Sequence, residues 1–313
     1  MMRTVPIMLD VDTGVDDASA LALAAGLRAN LVGVSTVAGN VNVDLATDNT
    51  LRILAALGLE GVPVFRGASR PLAVPYENAA LVHGENGLGN ATLPASPVSE
   101  AEMSGPDAII AMAEQYDGEL VLVMVGPVTN LAIAMSLRPG IVRQISKVVV
   151  MGGAYFTGGN VRPWAEYNVM TDPDAANQVF AANWNEIVAI GLDVTHQVVI
   201  TEKMWDRIPA DAEGAAGLLR AISRRTFETR VRSAFFLHDP LALGVALDPS
   251  LIGGDRYAVT VSTDPASIGR TDVSEGGNVL VATSVDVDRF QRRFCAAIGI
   301  PYLDESAELN NAE

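Results

Sequence analysis

Short runs of β-branched and aliphatic residues alternate with longer segments of helical period through the first two thirds of the sequence. Val5–Leu9 reads as a strand and Asp16–Arg28 as a helix, followed by strand Leu31–Val37, helix Val43–Leu57 and strand Val62–Phe65. After a looped insertion the rhythm continues with helix Pro106–Tyr116, strand Leu120–Val125, helix Thr129–Leu137, strand Lys147–Met151, helix Pro173–Ala182 and strand Glu186–Leu192. Such alternation predicts an α/β architecture, Rossmann-like, with a mostly parallel central sheet flanked by helices. In sheets of this kind ligands bind outside the carboxyl ends of the strands. Polar clusters sit at four such ends: Asp10 and Asp12 after Leu9, Gly39-Asn40 after Val37, Gly126-Pro127 after Val125, and Gly152-Gly153 after Met151. One shared site accounts for all four.

Beyond Thr201 the pattern turns more helical, and this C-terminal part is expected to close the site. Asp211–Phe236 reads as one long helix, and Leu241–Leu247 as a helix with Asp239 as N-cap and Pro240 at its first position. Two or three short strands are expected between Tyr257 and Val281, then a last helix over Val287–Ile298. Without repeats or a Pro/Ser-rich linker, residues 1–303 read as a single domain, and 304–313 as an acidic, mobile tail.

Charge narrows the partners. A formal net charge of −16 with only two lysines, Lys147 and Lys203, repels nucleic acid, anionic membranes and heavily phosphorylated substrates. The lone cysteine, Cys295, falls in the apolar pattern Phe290, Phe294, Ile298 and reads as a buried thiol. The N-terminus lacks the features of a secretory signal, and no apolar run reaches the length of about 18 residues that suggests a membrane span. The cytoplasm is the expected location.

Four carboxylates, Asp10, Asp12, Asp16 and Asp17, close the first strand within eight residues. Like charges so close repel unless a cation neutralises them or some are protonated. Alternation along the strand puts Asp10 and Asp12 on the same side, and Gly14 permits a turn that returns Asp16 and Asp17 beside them. Oxygen ligands suit Ca²⁺ or Mg²⁺, and no His/Cys cluster at ligand spacing supports zinc. Acids enriching a helix's first turn are the plainer explanation for Asp16 and Asp17 alone, but it leaves Asp10 and Asp12 unexplained.

The motif Asp10-Val11-Asp12-Thr13-Gly14-Val15-Asp16-Asp17 resembles the Asp-x-Asp-Pro-Gly-x-Asp-Asp hallmark of the nucleoside hydrolases, with Thr13 where proline is usual. Further similar segments are Thr36-Val37-Ala38-Gly39-Asn40, His83-Gly84-Glu85-Asn86-Gly87, Gly126-Pro127-Val128-Thr129-Asn130, Met151-Gly152-Gly153, Ala165-Glu166-Tyr167-Asn168 and His238-Asp239-Pro240. The resemblance, to the inosine-uridine preferring family, spans nearly the whole chain. It implies the nucleoside hydrolase fold and hydrolysis of the N-glycosidic bond of ribonucleosides, with a small-molecule substrate and a homodimer or homotetramer. It further implies Ca²⁺ held by Asp12, Asp17, Asp239 and the Val125 carbonyl, supported by Asp10. Asp16, Asn160, Glu166 and Asn168 are then the ribose contacts, Met151 packs near the sugar, Asn40 orients the water, and Asp12 is the general base. His238, since histidine titrates near neutral pH, is the expected donor to the departing base.

The remaining candidates divide. His83, in a Gly-rich loop, is expected to approach the base or the 5′ hydroxyl, while His196 reads as a hydrogen-bonded structural residue. Phe227, Trp164, Phe235 and Phe236 suit a base-stacking pocket, yet Phe235 and Phe236 as a pair fit core better. Arg224, Arg225, Arg230 and Arg232 either face solvent or cap the pocket. Two rival functions are a haloacid-dehalogenase-like phosphatase, which Leu9-Asp10-Val11-Asp12-Thr13 also resembles and in which Asp10 is the nucleophile, and a non-catalytic nucleoside or ribose binder.

Overall fold

The computed structural model describes residues 5–229 and 234–303. Its strands are β1 (Ile7–Val11), β2 (Leu31–Thr36), β3 (Val64–Arg66), β4 (Val121–Met124), β5 (Lys147–Met151), β6 (Ile187–Ile190), β7 (Val199–Ile200), β8 (Phe235–Phe236), β9 (Ile252–Val261) and β10 (Thr271–Val285). Eight of them form one sheet in the order β3-β2-β1-β4-β5-β6-β10-β9, and β7 pairs with β8 separately. Within the main sheet only the edge pair β9 and β10 is antiparallel. The predicted mostly parallel α/β sheet is what the chain builds.

Alternate residues of β1 feed two cores, Ile7, Leu9 and Val11 on one face and Met8 on the other. Burial on both faces explains why β4 and β5 are runs of Val, Leu and Met rather than alternating patterns. Helix starts are fixed locally. Asn42 caps Val43–Ala56 by accepting from Leu45 N at 3.0 Å, and Asp172 caps Pro173–Ala181 by accepting from Ala175 N at 3.1 Å.

The chain runs from β1 outward to β2 and β3, then returns to place β4 on β1's other side. The crevice at that reversal, beyond the carboxyl ends of β1 and β4, is the ligand position such sheets provide. Asp12 leaves β1 there, and Val125 leaves β4.

Three expectations need correction. Asp211–Phe236 is not one helix: the helix spans Gly214–Thr229, and Phe235–Phe236 pair as β8 with Val199–Ile200. The aromatic pair gains backbone partners on β7 that a helical reading has no means of revealing. Asp239 is not an N-cap, because the helix runs His238–Leu247 with Leu237 as its cap, which leaves the Asp239 carboxylate in the first turn and free of capping duty. The short strands expected between Tyr257 and Val281 are two long ones of 10 and 15 residues. Gly276, at φ +85°, lies inside a bulge between Ser274 and Val279, and this break makes one strand read as two. The acidic-tail call, 304–313, lies outside the described residues. No helix among the described residues is long and apolar enough to cross a membrane.

Candidate active site

The turn after β1 is tied from every side. Asp17 folds back to accept from Asp12 N at 3.0 Å and from Gly14 N at 2.8 Å. Thr13 Oγ1 lies 2.6 Å from Thr50 Oγ1, so the residue that departs from the family's proline pins the turn to the helix Val43–Ala56. A side chain at Gly14 would put its Cβ 2.4 Å from His83 Nδ1, which explains glycine there. Asn40, after β2, grips Asp12 twice, through its backbone N–H to Oδ2 at 2.6 Å and Nδ2 to Oδ1 at 3.0 Å. The same Nδ2 is 3.2 Å from Asp17 Oδ2.

Asp16, Asp17 and Asp239 each bring an oxygen within 4.8 Å of the others. Asp12, Asp17 and Asp239 are almost fully buried, and Oδ1 of Asp16 and Oδ2 of Asp239 are buried without a hydrogen-bond partner. Among the described residues no lysine or arginine pairs with this cluster; the imidazole of His83 lies beside it, with Nδ1 3.7 Å from Asp16 Oδ1. Burial, then the charge of Asp16, pushes Asp17 up to about 7. Burial and the charge of Asp17 raise Asp12 well above the carboxylate range, and burial with Asp16, Asp17 and Asp12 does the same for Asp239. Orphaned, crowded, hard oxygen donors fit a divalent cation of the calcium type. The Val125 carbonyl accepts from Asn168 Nδ2 at 2.8 Å and keeps a second lone pair for an ion.

Beside the cluster opens a pocket of about 240 Å³. Asp16, Asn40, His83, Val125, Met151, Asn160, Glu166, Asn168 and His238 all line it, so most of the residues read from the sequence converge. Asp12, Asp17 and Asp239 do not wall it; Asp12 and Asp17 are bonded to Asn40, which does. Glu166 is the N-cap of the helix Tyr167–Thr171, accepting from Asn168 N at 2.8 Å and from Val169 N and Gly153 N at 3.0 Å. Burial outweighs these three bonds and lifts Glu166 to about 7. Asn160 sits at the exposed mouth and accepts from Tyr167 N at 3.0 Å. Met151 brings its Sδ to 3.5 Å from Asn168 Nδ2.

Asp10 lies apart from the cluster, contrary to a simple reading of strand alternation. Its carboxylate accepts from Ser35 Oγ and from Asn130 Nδ2, the latter at 2.7 Å, and burial lifts it to about 7. Asn130 also donates to Thr36 O at 2.9 Å and accepts from Ala68 N at 2.8 Å, so this knot joins the ends of β1 and β2 to the helix Thr129–Leu137. Among the described residues no lysine lines the pocket to hold a phosphate, and Asp10 is tied to Ser35 and Asn130 behind the turn, so the groups that the phosphatase reading requires are not assembled. Asn130→Ala strands several buried polar groups and is expected to cost about 2–4 kcal/mol of stability, read by urea unfolding; a change under about 0.5 kcal/mol contradicts the knot.

His238 Nδ1 is 2.8 Å from Thr195 Oγ1, and its ring stacks on Phe236 with centroids 5.4 Å apart and planes at 21°. His196 completes the ring cluster at 5.7 Å from His238. Phe235 is buried in the core as expected and also lines the pocket, whereas the half-buried Phe236 lines the pocket and corrects the core reading: strand pairing, not helical spacing, sets where they face. Phe227 packs on Trp205 as core, and Trp164 bonds Ile268 O away from the pocket. His83 accepts from Val15 N through Nδ1 at 3.2 Å while lining the pocket. Arg224 is exposed beside Glu228, Arg225 lines the pocket, and Arg230 and Arg232 lie outside the described residues. Sequence reasoning missed Tyr167, whose hydroxyl lies 2.8 Å from Gly39 O and 2.9 Å from Glu77 O, and the short helix Ala80–His83. The segment bearing Glu77 and that helix belongs to the looped insertion, where no periodic signal exists.

The chain is similar to known proteins in sequence and fold. The sequence profile of the inosine-uridine preferring nucleoside hydrolases matches residues 7–292. The chain is 34% identical to an inosine-uridine preferring nucleoside hydrolase of Leishmania major, over 91% of this chain and 94% of that protein. It is 34% identical to a probable uridine nucleosidase 2 of Arabidopsis thaliana, over 85% and 84%. The solved structure of a purine-preferring ribonucleoside hydrolase from Gardnerella vaginalis superposes with a TM-score of 0.88 at 35% identity, covering 94% of this chain and 98% of that one. Fold, site and relatives together define a hydrolase of N-glycosyl bonds. The chain belongs to the inosine-uridine preferring nucleoside hydrolase family.

Proposed function

We propose that this nucleoside hydrolase cleaves ribonucleosides to ribose and free base with Ca²⁺ as cofactor and Asp12 as general base. The observation that carries the reading is the convergence of Asp16, Asp17 and Asp239 beside the pocket, with buried oxygens that no protein group satisfies. Asp12, Asp17, Asp239 and the Val125 carbonyl would hold the ion, with Asp16 beside them. Calcium, when bound, supplies orientation of the 2′ and 3′ hydroxyls and lowers the pKa of an adjacent water.

The protein's own groups do the rest. Breaking the C1′–N bond leaves positive charge on the ribosyl ring, and Asp16 and Glu166 stabilise it electrostatically. Asn40 fixes the Asp12 carboxylate by two hydrogen bonds, and Asp12 takes the proton of the attacking water. Attack opposite the base inverts C1′. Asn160 and Asn168 bind the ribose, Met151 packs against it, His83 approaches the substrate from the insertion side, and Asp10 supports the turn from behind. His238, oriented by Thr195, donates to the departing base. Residues 1–303 act as one catalytic domain, since one sheet draws strands from residue 7 to residue 285. A homodimer or homotetramer in the cytoplasm is part of the same proposal.

A reducing-sugar assay on inosine, uridine, cytidine and adenosine tests the activity. Ribose release supports it, and binding without release supports the non-catalytic binder instead. His238→Ala is expected to slow inosine or uridine about 10²-fold while changing a nitrophenyl riboside, whose leaving group needs no proton, far less. Equal loss on both removes the donor role.

A further inference from the structure

The pocket lining is of two chemical kinds. Asp16 and Glu166 are carboxylates suited to stabilising a cationic sugar, whereas Leu81, Phe235 and Phe236 supply apolar and aromatic wall. A ribosyl cation held by the carboxylates leaves the aromatic wall for the base. Arg225 belongs to that wall, through the bond its Nη2 donates to Leu81 O at 3.2 Å. Among the described residues it is the single arginine or lysine lining the pocket, and no carboxylate pairs with it. Its Nε is buried and donates to nothing. A guanidinium offers five N–H donors in a planar fork, and a buried donor left unmet is costly until an acceptor arrives.

We propose that Arg225 reads the nucleobase: its guanidinium donates to the exocyclic oxygen of an oxo-base such as hypoxanthine or uracil and stabilises the negative charge that base acquires on leaving. The inference rests on the ribonucleoside reading and deepens it. As C1′–N breaks, its electron pair goes to the ring nitrogen and is delocalised onto the exocyclic oxygen. The water oxygen bonds C1′, its proton goes to Asp12, and the base nitrogen is reprotonated by His238 or solvent. Arg225 stays protonated throughout and transfers nothing. Adenine presents an amino donor where hypoxanthine presents an acceptor, so donor faces donor and the contact is lost.

Inosine and adenosine, which differ at that substituent, provide the test. We expect the wild type to favour inosine in kcat/KM, and Arg225→Met to lower the inosine-to-adenosine ratio about 10- to 100-fold, mainly through kcat. Arg225→Lys, which keeps charge but not the fork, should lower the ratio by an intermediate factor and stands in if the methionine variant fails to fold. If Arg225 only secures Leu81 at the rim, both substrates lose equally and the ratio is unchanged, which overturns the proposal. An unchanged inosine rate in Arg225→Met overturns it as well. A wild type that cleaves no nucleoside removes the functional reading itself, whereas normal wild-type turnover with an unaltered variant ratio removes only the role of Arg225.

Discussion

Asp12→Ala is expected to lower kcat on uridine or inosine by about 10³-fold or more, because it removes the proton acceptor and one carboxylate of the cation site together. The loss should fall on turnover without unfolding the protein. Asp12 is buried, held above its ordinary range by burial and by Asp17, and its carboxylate accepts twice from Asn40. Deleting it strands the buried Asn40 N–H that it accepts from, so the calcium-free variant should stay folded but melt about 2–5 °C below calcium-free wild type. Steady-state kinetics and a thermal melt of the two proteins check both halves. Turnover like wild type in Asp12→Ala eliminates the proposed base.

The second large effect is a pH-dependent loss of stability in calcium-free protein. Asp17 rises from 3.8 to about 7 on folding, and Asp12 and Asp239 are also raised. A carboxyl group raised in the folded state binds more protons there than in the unfolded chain. Its stabilising contribution is therefore complete below the unfolded value and is lost as pH climbs through the folded one. Calcium-free protein should accordingly lose stability from about pH 4 to above pH 7. Calcium replaces the missing protons, so its stabilisation should be largest at the alkaline end. At about 100 times its Kd it should add about 2.7 kcal/mol, or about 5 °C in Tm. Asp10, lifted to about 7 outside the cluster, keeps part of the slope in place even with calcium present. Melting temperatures that neither fall with pH after chelation nor rise with calcium contradict the linkage.

The part of the architecture legible in the sequence is the part set by local signals. The strand Lys147–Met151 and the helices Thr129–Leu137 and Val287–Ile298 have the bounds their periodicity and caps imply. The site was legible for a related reason: ligands gather at strand carboxyl ends, and Asp12, Asn40, Val125 and Met151 each follow or end a recognisable strand. Asp239 illustrates the limit. Its identity was evident, but as a helix cap its carboxylate would have been occupied, and only the helix start at His238 frees it. Asp10 shows the same limit from the other side, since its bond to Asn130 spans 120 residues of sequence. The place of Phe236 at the pocket rather than in the core, and of Arg225 at the pocket rather than in solvent, depends on how the C-terminal third folds over the sheet, and no local rule governs that.

The most direct measurement is calorimetric titration of metal-stripped protein with Ca²⁺, in wild type and in Asp239→Ala. One ion should bind per wild-type chain, and removal of Asp239 should weaken it at least about tenfold, since ligand charge sets affinity in oxygen-donor sites. Absence of binding in wild type, or equal affinity in the two proteins, would show that the carboxylates of Asp17 and Asp239 meet for some reason other than gripping a cation.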